Sequence, residues 1–171
     1  MNDNVRENPD AQPEATAAGS PLLLRQLAAL LEGERSSVPN LSNAAALLWM
    51  SLNRINWVGF YLVSGGELLL GPFQGKPACV HIQMGRGVCG TAAAQDRTQV
   101  VPDVRLFPGH IACDADSRSE LVVPLRRAGR VVGVLDIDSP FPERFGAADA
   151  ALMERAARII EEACDWDGFE R

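Results

Sequence analysis

With 171 residues, 47% of them hydrophobic, and a net charge of −6, the chain has enough apolar material for one globular domain with a proper core. Its isoelectric point near 4.9 and the lack of a basic cluster argue against nucleic-acid or anionic-membrane binding. The densest cationic stretch, Arg126-Arg-Ala-Gly-Arg130, reads as a turn. The N-terminus shows no basic start followed by an apolar run, and the longest apolar stretches, Leu27 to Leu31 and Ala44 to Met50, are too short to span a bilayer. The expectation is a soluble, cytoplasmic protein.

Residues 1–18 are polar, rich in Asn, Asp, Pro, Glu and Ala, and read as a disordered tail. A domain is expected over 19–166, with a short C-terminal tail at 167–171. Ser20 and Pro21 suit a helix start, and Leu23, Leu24, Leu27, Leu30 and Leu31 follow as an apolar stripe at helical spacing. A second helix is predicted from Leu41 to Arg54, burying Ala45, Leu48, Trp49 and Leu52. The middle is rich in strands: Ile55 to Val63, a Ser-Gly-Gly turn, a hairpin partner at Glu67 to Gly71, and a short strand at Cys79 to Ile82. Gly85 to Gly90 reads as a Gly-rich turn before a short helix at Thr91 to Gln95. Thr98 to Val101 is a short strand, and residues 102–118 form a long polar connection of the kind that often carries function. Ser119 to Arg126 and Arg130 to Asp138 pair as a hairpin, and Ala147 to Cys164 is a long amphipathic helix. Helices at both ends can pack on one face of an antiparallel sheet and leave the other face for a ligand pocket, which is an α+β domain.

Three cysteines, Cys79, Cys89 and Cys113, lie between strand-like segments, and in a chain without an export signal such thiols point to catalysis, redox exchange or metal binding rather than to structural staples. Cys79, His81, Cys89, His110 and Cys113 could supply zinc ligands. No Cys-x-x-Cys pair is present, however, so no metal is assigned. His110 reads either as a partner of Cys113 or as a solvated loop histidine, and Cys164 as an inert cysteine at a helix end. On the strand at 55–63, Trp57, Gly59 and Tyr61 share one face, while Val58, Phe60 and Leu62 share the other. The first face suits an apolar pocket wall, or two aromatics packed under a loop. Asp136 and Asp138 share a face with Val132 and Val134. The pair is either solvated at an exposed strand end or, with Glu120, forms a site for an ammonium ligand in which one carboxyl stays protonated as a general acid.

These residues resemble a known family. The stretches Ile55-Asn-Trp-Val-Gly-Phe-Tyr61, Gly71-Pro-Phe-Gln-Gly-Lys76, Gly85-Arg-Gly-Val-Cys-Gly-Thr91, Phe107-Pro-Gly-His-Ile-Ala-Cys113, Ser117-Arg-Ser-Glu120 and Leu135-Asp-Ile-Asp-Ser139 are similar to those of the free methionine-(R)-sulfoxide reductases, which are built on a GAF domain. The resemblance covers roughly residues 20–163. It implies a GAF-like fold and a reductase that acts on free methionine-(R)-sulfoxide. Cys113 would be the attacking cysteine and Cys79 the resolving one, with Cys89 a third cysteine of less settled part. Glu120, Asp136 and Asp138 would hold the substrate and help protonate its oxygen, and Trp57 and Tyr61 would wall its methylthio end. The resemblance also implies no bound cofactor, recycling by thioredoxin with NADPH and thioredoxin reductase, and a homodimer. The competing reading is a non-catalytic GAF ligand-binding or signalling module.

Overall fold

The structure, a computed structural model, describes residues 20–109 and 114–167. The expectations for the N-terminal tail, for His110 and Cys113, and for residues 168–171 lie outside the described residues. Helix α1 spans Ser20–Leu31, and its leucine stripe packs inward through Leu23, Leu24, Leu27 and Leu31. Leu30, expected in that stripe, is 44% exposed, because the other four leucines already fill the contact line and Leu30 falls on its flank. Helix α2 spans Ser37–Ser51 and so begins ahead of the expected Leu41. Pro39 sits in its first turn, where a missing N–H leaves no intrahelical bond unmade, so this proline starts the helix instead of excluding it. The side chain of Asn40 donates to the carbonyls of Glu34 and Ala163 at 2.9 and 3.2 Å and ties this helix end to the chain's last helix. Trp49 is only half-buried, at the edge of the helix contact.

Six strands follow: β1 Trp57–Ser64, β2 Glu67–Gly75, β3 His81–Gln83, β4 Gln99–Val101, β5 Ser119–Arg127 and β6 Arg130–Ser139. They form one antiparallel sheet in the order β3-β2-β1-β6-β5-β4. Helix α3 (Gly87–Gln95) precedes β4, and α4 (Ala147–Ala163) closes the chain. The α+β class and the antiparallel sheet are as expected, and no helix among the described residues is long and apolar enough to cross a membrane.

Strand alternation divides the molecule into two cores. Val58, Phe60 and Leu62 of β1, Leu121, Val123 and Leu125 of β5, and Leu135 and Ile137 of β6 pack beneath α1, α2 and α4. Trp57 and Tyr61 face the other way, with Val122 and Val134, into a smaller cluster closed by Val88, Cys89, Ala92 and Ala93 of α3. A one-residue slip of β1 would exchange these two faces, and each buried large apolar side chain is worth about 1.5–3 kcal/mol, so the register is strongly held.

Two bulges depart from the expected pattern. β2 runs past Gly71 because Gly59 pairs with Phe73 while Tyr61 pairs with Leu70, which leaves one extra residue in the Gly71-Pro72 stretch. A bulge is where a strand tolerates a proline that lacks its N–H. In β6, Leu125 pairs with Gly133 but Arg126 with Val131, so Val132 is the extra residue. Val132 therefore packs on the helix side and Val131 on the pocket side, which corrects the face expected for Val132. The alternation is regular from Gly133 onward, and Asp136 stays on the pocket face.

Candidate active site

The second face of the sheet carries a hollow whose lining includes Trp57, Tyr61, Cys89, Glu120, Asp136 and Asp138. The acidic groups converge because the strands that carry them are neighbours. Glu120 of β5 lies directly across the ladder from Asp138 of β6, and Asp136 lies across from Gly59 of β1. Like charges directly opposed on one sheet face repel, and burial makes the conflict worse. Glu120 and Asp136 are buried, at 6% and 5% exposure, and Asp138 is half-buried. The solvated-strand-end reading of Asp136 therefore does not hold.

The structure manages this conflict with protons. Desolvation raises all three carboxyls above their ordinary range. Desolvation and then the charges of Asp136 and Asp138 push Glu120 well up. Asp136 is raised to about 7, with hydrogen bonds from Cys89, Glu120 and the Ile137 N–H restraining the rise. Asp138 is raised by desolvation and then by Asp136 and Asp114. A hydrogen bond between two carboxyls requires a proton on one of them, and both Glu120 and Asp136 are raised in the direction that retains it. One oxygen of Asp136, Oδ1, is buried without a hydrogen-bond partner among the described residues.

The aromatic wall is built around a glycine. A Cβ on Gly59 would lie 2.4 Å from Phe73 Cβ and 2.6 Å from Trp57 Cη2, so its absence lets the indole lie across the strand. Trp57 stacks on Phe73 and on Tyr61, with ring centroids 5.4 and 5.9 Å apart. Its Nε1 donates to the Lys76 carbonyl at 3.1 Å, and the Tyr61 hydroxyl donates to the Cys79 carbonyl at 3.0 Å. The two aromatics line the hollow and bond the loop over it.

That loop carries Cys79. The residue was expected on a strand, but β3 begins only at His81; Cys79 sits in the preceding loop beside Pro77 and Ala78, which line the hollow. Pro77 cannot donate to a ladder, which keeps this stretch out of the sheet. Cys79 is disulfide-bonded, whereas Cys89 and Cys164 are free thiols. Cys164 is buried in the helix-side core, where burial raises its thiol to about 11.

Cys89 lies inside α3, not in the Gly-rich turn before it. The helix starts at Gly87 because the chain folds back tightly enough for Gly85 N–H to donate to Gly90 O at 2.8 Å. A Cβ on Gly90 would lie 2.3 Å from the Gln83 carbonyl oxygen, so the close approach requires glycine. This first turn aims the Cys89 thiol at the carboxyls, 3.9 Å from Glu120 Oε1. Burial and then the Asp136 and Glu120 charges raise the thiol well above its ordinary value. It is a protonated hydrogen-bond donor, poorly suited to open a reaction as a thiolate.

His81 does not join the site. It is exposed and bonds Glu67 at 2.7 Å, so the zinc set considered from the sequence is not assembled among the described residues. Sequence reasoning missed Asn56, Lys76, Asp114 and Ser117 as supports of the hollow. The Asn56 amide donates to Asp114 Oδ2 and Ser117 Oγ at 3.1 and 3.0 Å, and Lys76, the chain's only lysine, bonds Asp116 at 2.6 Å. Asn56, Lys76 and Ser117 all fall inside the quoted motifs, and that position was the only signal available.

Comparison with known proteins agrees with this geometry. The GAF domain family profile matches residues 20–164. A free methionine-R-sulfoxide reductase of Escherichia coli is 54% identical over 139 residues, covering 81% of this chain and 84% of the relative. The chain belongs to the free methionine-R-sulfoxide reductases of the GAF-domain family. The Saccharomyces cerevisiae member of these reductases is 47% identical over 150 residues, 83% of each chain. The structure of the Staphylococcus aureus reductase in complex with its substrate superposes with a TM-score of 0.83 at 52% identity, covering 88% of this chain and 97% of that one.

Proposed function

We propose that this chain reduces free methionine-(R)-sulfoxide to methionine, with Cys113 as the nucleophile and Cys79 as the resolving thiol. The observation that carries the reading is the convergence of Glu120, Asp136 and Asp138 beneath the Trp57–Tyr61 wall, with disulfide-bonded Cys79 in the loop above them. A free amino acid suits this pocket at both ends. Its ammonium group offsets the buried carboxyls, and its methylthio end suits the aromatic wall.

In the proposed reaction the Cys113 thiolate attacks the sulfoxide sulfur. A sulfoxide oxygen departs only when protonated, and the Glu120–Asp136 pair holds a proton within the pocket. The sum is thiol plus sulfoxide giving sulfenic acid plus sulfide. The Cys79 thiol then condenses with the sulfenic acid, releasing water and forming a disulfide. Cys79 is disulfide-bonded, while Cys89 and Cys164 are free thiols. Cys89, protonated and bonded to carboxyls, acts in this reading on the proton donors and not as the resolving thiol. An external dithiol, most simply thioredoxin, resets the enzyme by exchange.

The test is a coupled assay with thioredoxin, thioredoxin reductase and NADPH. NADPH should be consumed with the free R epimer and not with the S epimer. Binding of the R epimer without turnover, in protein whose thiols react normally with a thiol reagent, would favour a non-catalytic ligand-binding module instead.

A further inference from the structure

We propose that the pocket floor is also a binding site for a thiophilic divalent cation, Zn²⁺ by its ligand chemistry, held by Cys89 Sγ and one carboxylate oxygen each from Glu120 and Asp136. One ligand atom from each of the three lies within 4.8 Å of the others, and all three residues are buried. The Cys89 Sγ to Glu120 Oε1 distance is 3.9 Å. With a Zn–S bond of about 2.3 Å and a Zn–O bond of about 2.1 Å at a tetrahedral angle, the sulfur and oxygen stand about 3.6 Å apart, so the Cys89–Glu120 pair need close by only a few tenths of an ångström.

A second observation points the same way. Asp136 Oδ1 is buried, unpartnered among the described residues, and belongs to a side chain that lines the hollow. A buried oxygen without a partner is a costly state that a cation relieves. Three protein ligands with a fourth position open to the cavity is the arrangement of an accessible zinc site rather than a closed structural one. On binding, the thiol proton and any carboxyl protons leave to solvent, and no redox change is involved.

Zn²⁺ and an ammonium substrate would use the same carboxylates, so each excludes the other; this consequence rests on the proposed function, while the metal site itself does not. Zinc would thereby act as a reversible inhibitor whose seat includes the thiol the proposed reaction does not consume.

The test uses the full-length protein with its disulfide intact, so that Cys79 is not available as a ligand. Zn²⁺ binding is measured by competition with a chelating dye, and Co²⁺ is used as a spectroscopic probe of thiolate ligation. One equivalent should bind, with a near-ultraviolet thiolate-to-cobalt band. Cys89→Ser should abolish the band, and Asp136→Asn and Glu120→Gln should each weaken zinc by about tenfold or more. His81→Ala and Cys164→Ser should change neither readout. Circular dichroism confirms folding; if Cys89→Ser does not fold, the two carboxyl variants decide. Zinc affinity unchanged in Asp136→Asn and Glu120→Gln overturns the site, as does a band that persists in folded Cys89→Ser. Free methionine should displace the zinc, and its binding measured without zinc separates failure of this exclusion from failure of the functional reading. Methionine that binds alone but leaves zinc in place overturns the shared floor.

Discussion

Raising the pH from 5 to 8 should weaken the folded protein, and Asp136 should carry much of the loss. In the unfolded chain this carboxyl releases its proton near its ordinary value of 3.8, whereas burial in the folded protein raises it to about 7. Between those two values the folded protein holds a proton that the unfolded chain has already released. Stability therefore falls as pH rises through this window, and the loss is complete above about 7. About three pKa units at 1.36 kcal/mol each set a ceiling of about 4 kcal/mol, of which the span from pH 5 upward takes about 3 kcal/mol. Glu120 and Asp138 are raised too and act with the same sign. Asp103 and Asp167 are lowered by Arg118 and Arg127 respectively, and their contribution of opposite sign is already complete by pH 5. The assay is urea unfolding followed by tryptophan fluorescence at pH 5, 6, 7 and 8, with the disulfide intact throughout. Asp136→Asn, neutral at every pH, should flatten the curve. A wild-type stability that is level or rising over this range, or an equal slope in Asp136→Asn, would refute the reasoning.

Cys113→Ser should abolish reduction, because a hydroxyl is a far weaker nucleophile than a thiolate; turnover retained in the coupled assay would sink the assignment. Cys79→Ser should still release about one methionine per enzyme in a single turnover while steady turnover collapses. If Cys89→Ser collapses it instead, the resolving roles are reversed. N-acetylmethionine sulfoxide should lose orders of magnitude in kcat/KM, since it leaves the buried carboxylates without a cation, and Asp138→Asn should narrow that gap while slowing the free substrate; equal kcat/KM for the two substrates would show that the carboxylates do not read the amine. Gly59→Ala places a Cβ 2.4 Å from Phe73 Cβ and 2.6 Å from Trp57 Cη2. It should cost about 1–3 kcal/mol, lowering Tm by about 2–4 °C per kcal/mol, and should raise KM by displacing the indole; thermal melts and Michaelis curves that match wild type would contradict the packing argument.

Much of the fold was legible because periodicity reports burial directly. The alternation of β1 separated Val58, Phe60 and Leu62 from Trp57 and Tyr61, and the two cores keep that division. The errors fall where a local irregularity overrides the period. Val132 sits at a bulge that sequence alternation cannot reveal, because the extra residue is defined only against Arg126 and Leu125 on the partner strand. Pro72 occupies a bulge and Pro39 a helix's first turn, the two settings where a missing N–H costs least, so neither ends its element. In the site, the residue types were visible but their partners were not. Nothing in the spacing of Asn56 and Ser117 says that one amide reaches across the fold to the other's hydroxyl. Nor does the Gly-rich stretch reveal that Gly90 admits the Gln83 carbonyl and so turns Cys89 onto the carboxyls.

The cost of that cluster is itself an argument about function. A core built only for stability would not oppose Glu120 to Asp138 on neighbouring strands, nor leave Asp136 Oδ1 buried without a partner among the described residues. No described lysine or arginine forms an ion pair with any of the three carboxyls, and Lys76 instead spends its charge on Asp114 and Asp116. Burial that no ion pair among the described residues offsets favours the protonated forms of these carboxyls. When an ammonium group enters, the carboxyls it meets are drawn toward ionisation, while a carboxyl farther from it retains the proton needed at a leaving oxygen. In the proposed reaction the same three groups recognise the substrate's charge and serve its chemistry, the positive group and the sulfoxide reaching different members of the cluster. Glu120 and Asp138 face each other across one ladder position, and Asp136 sits along β6 beside Cys89, so the floor offers two distinct points of contact beneath one aromatic wall.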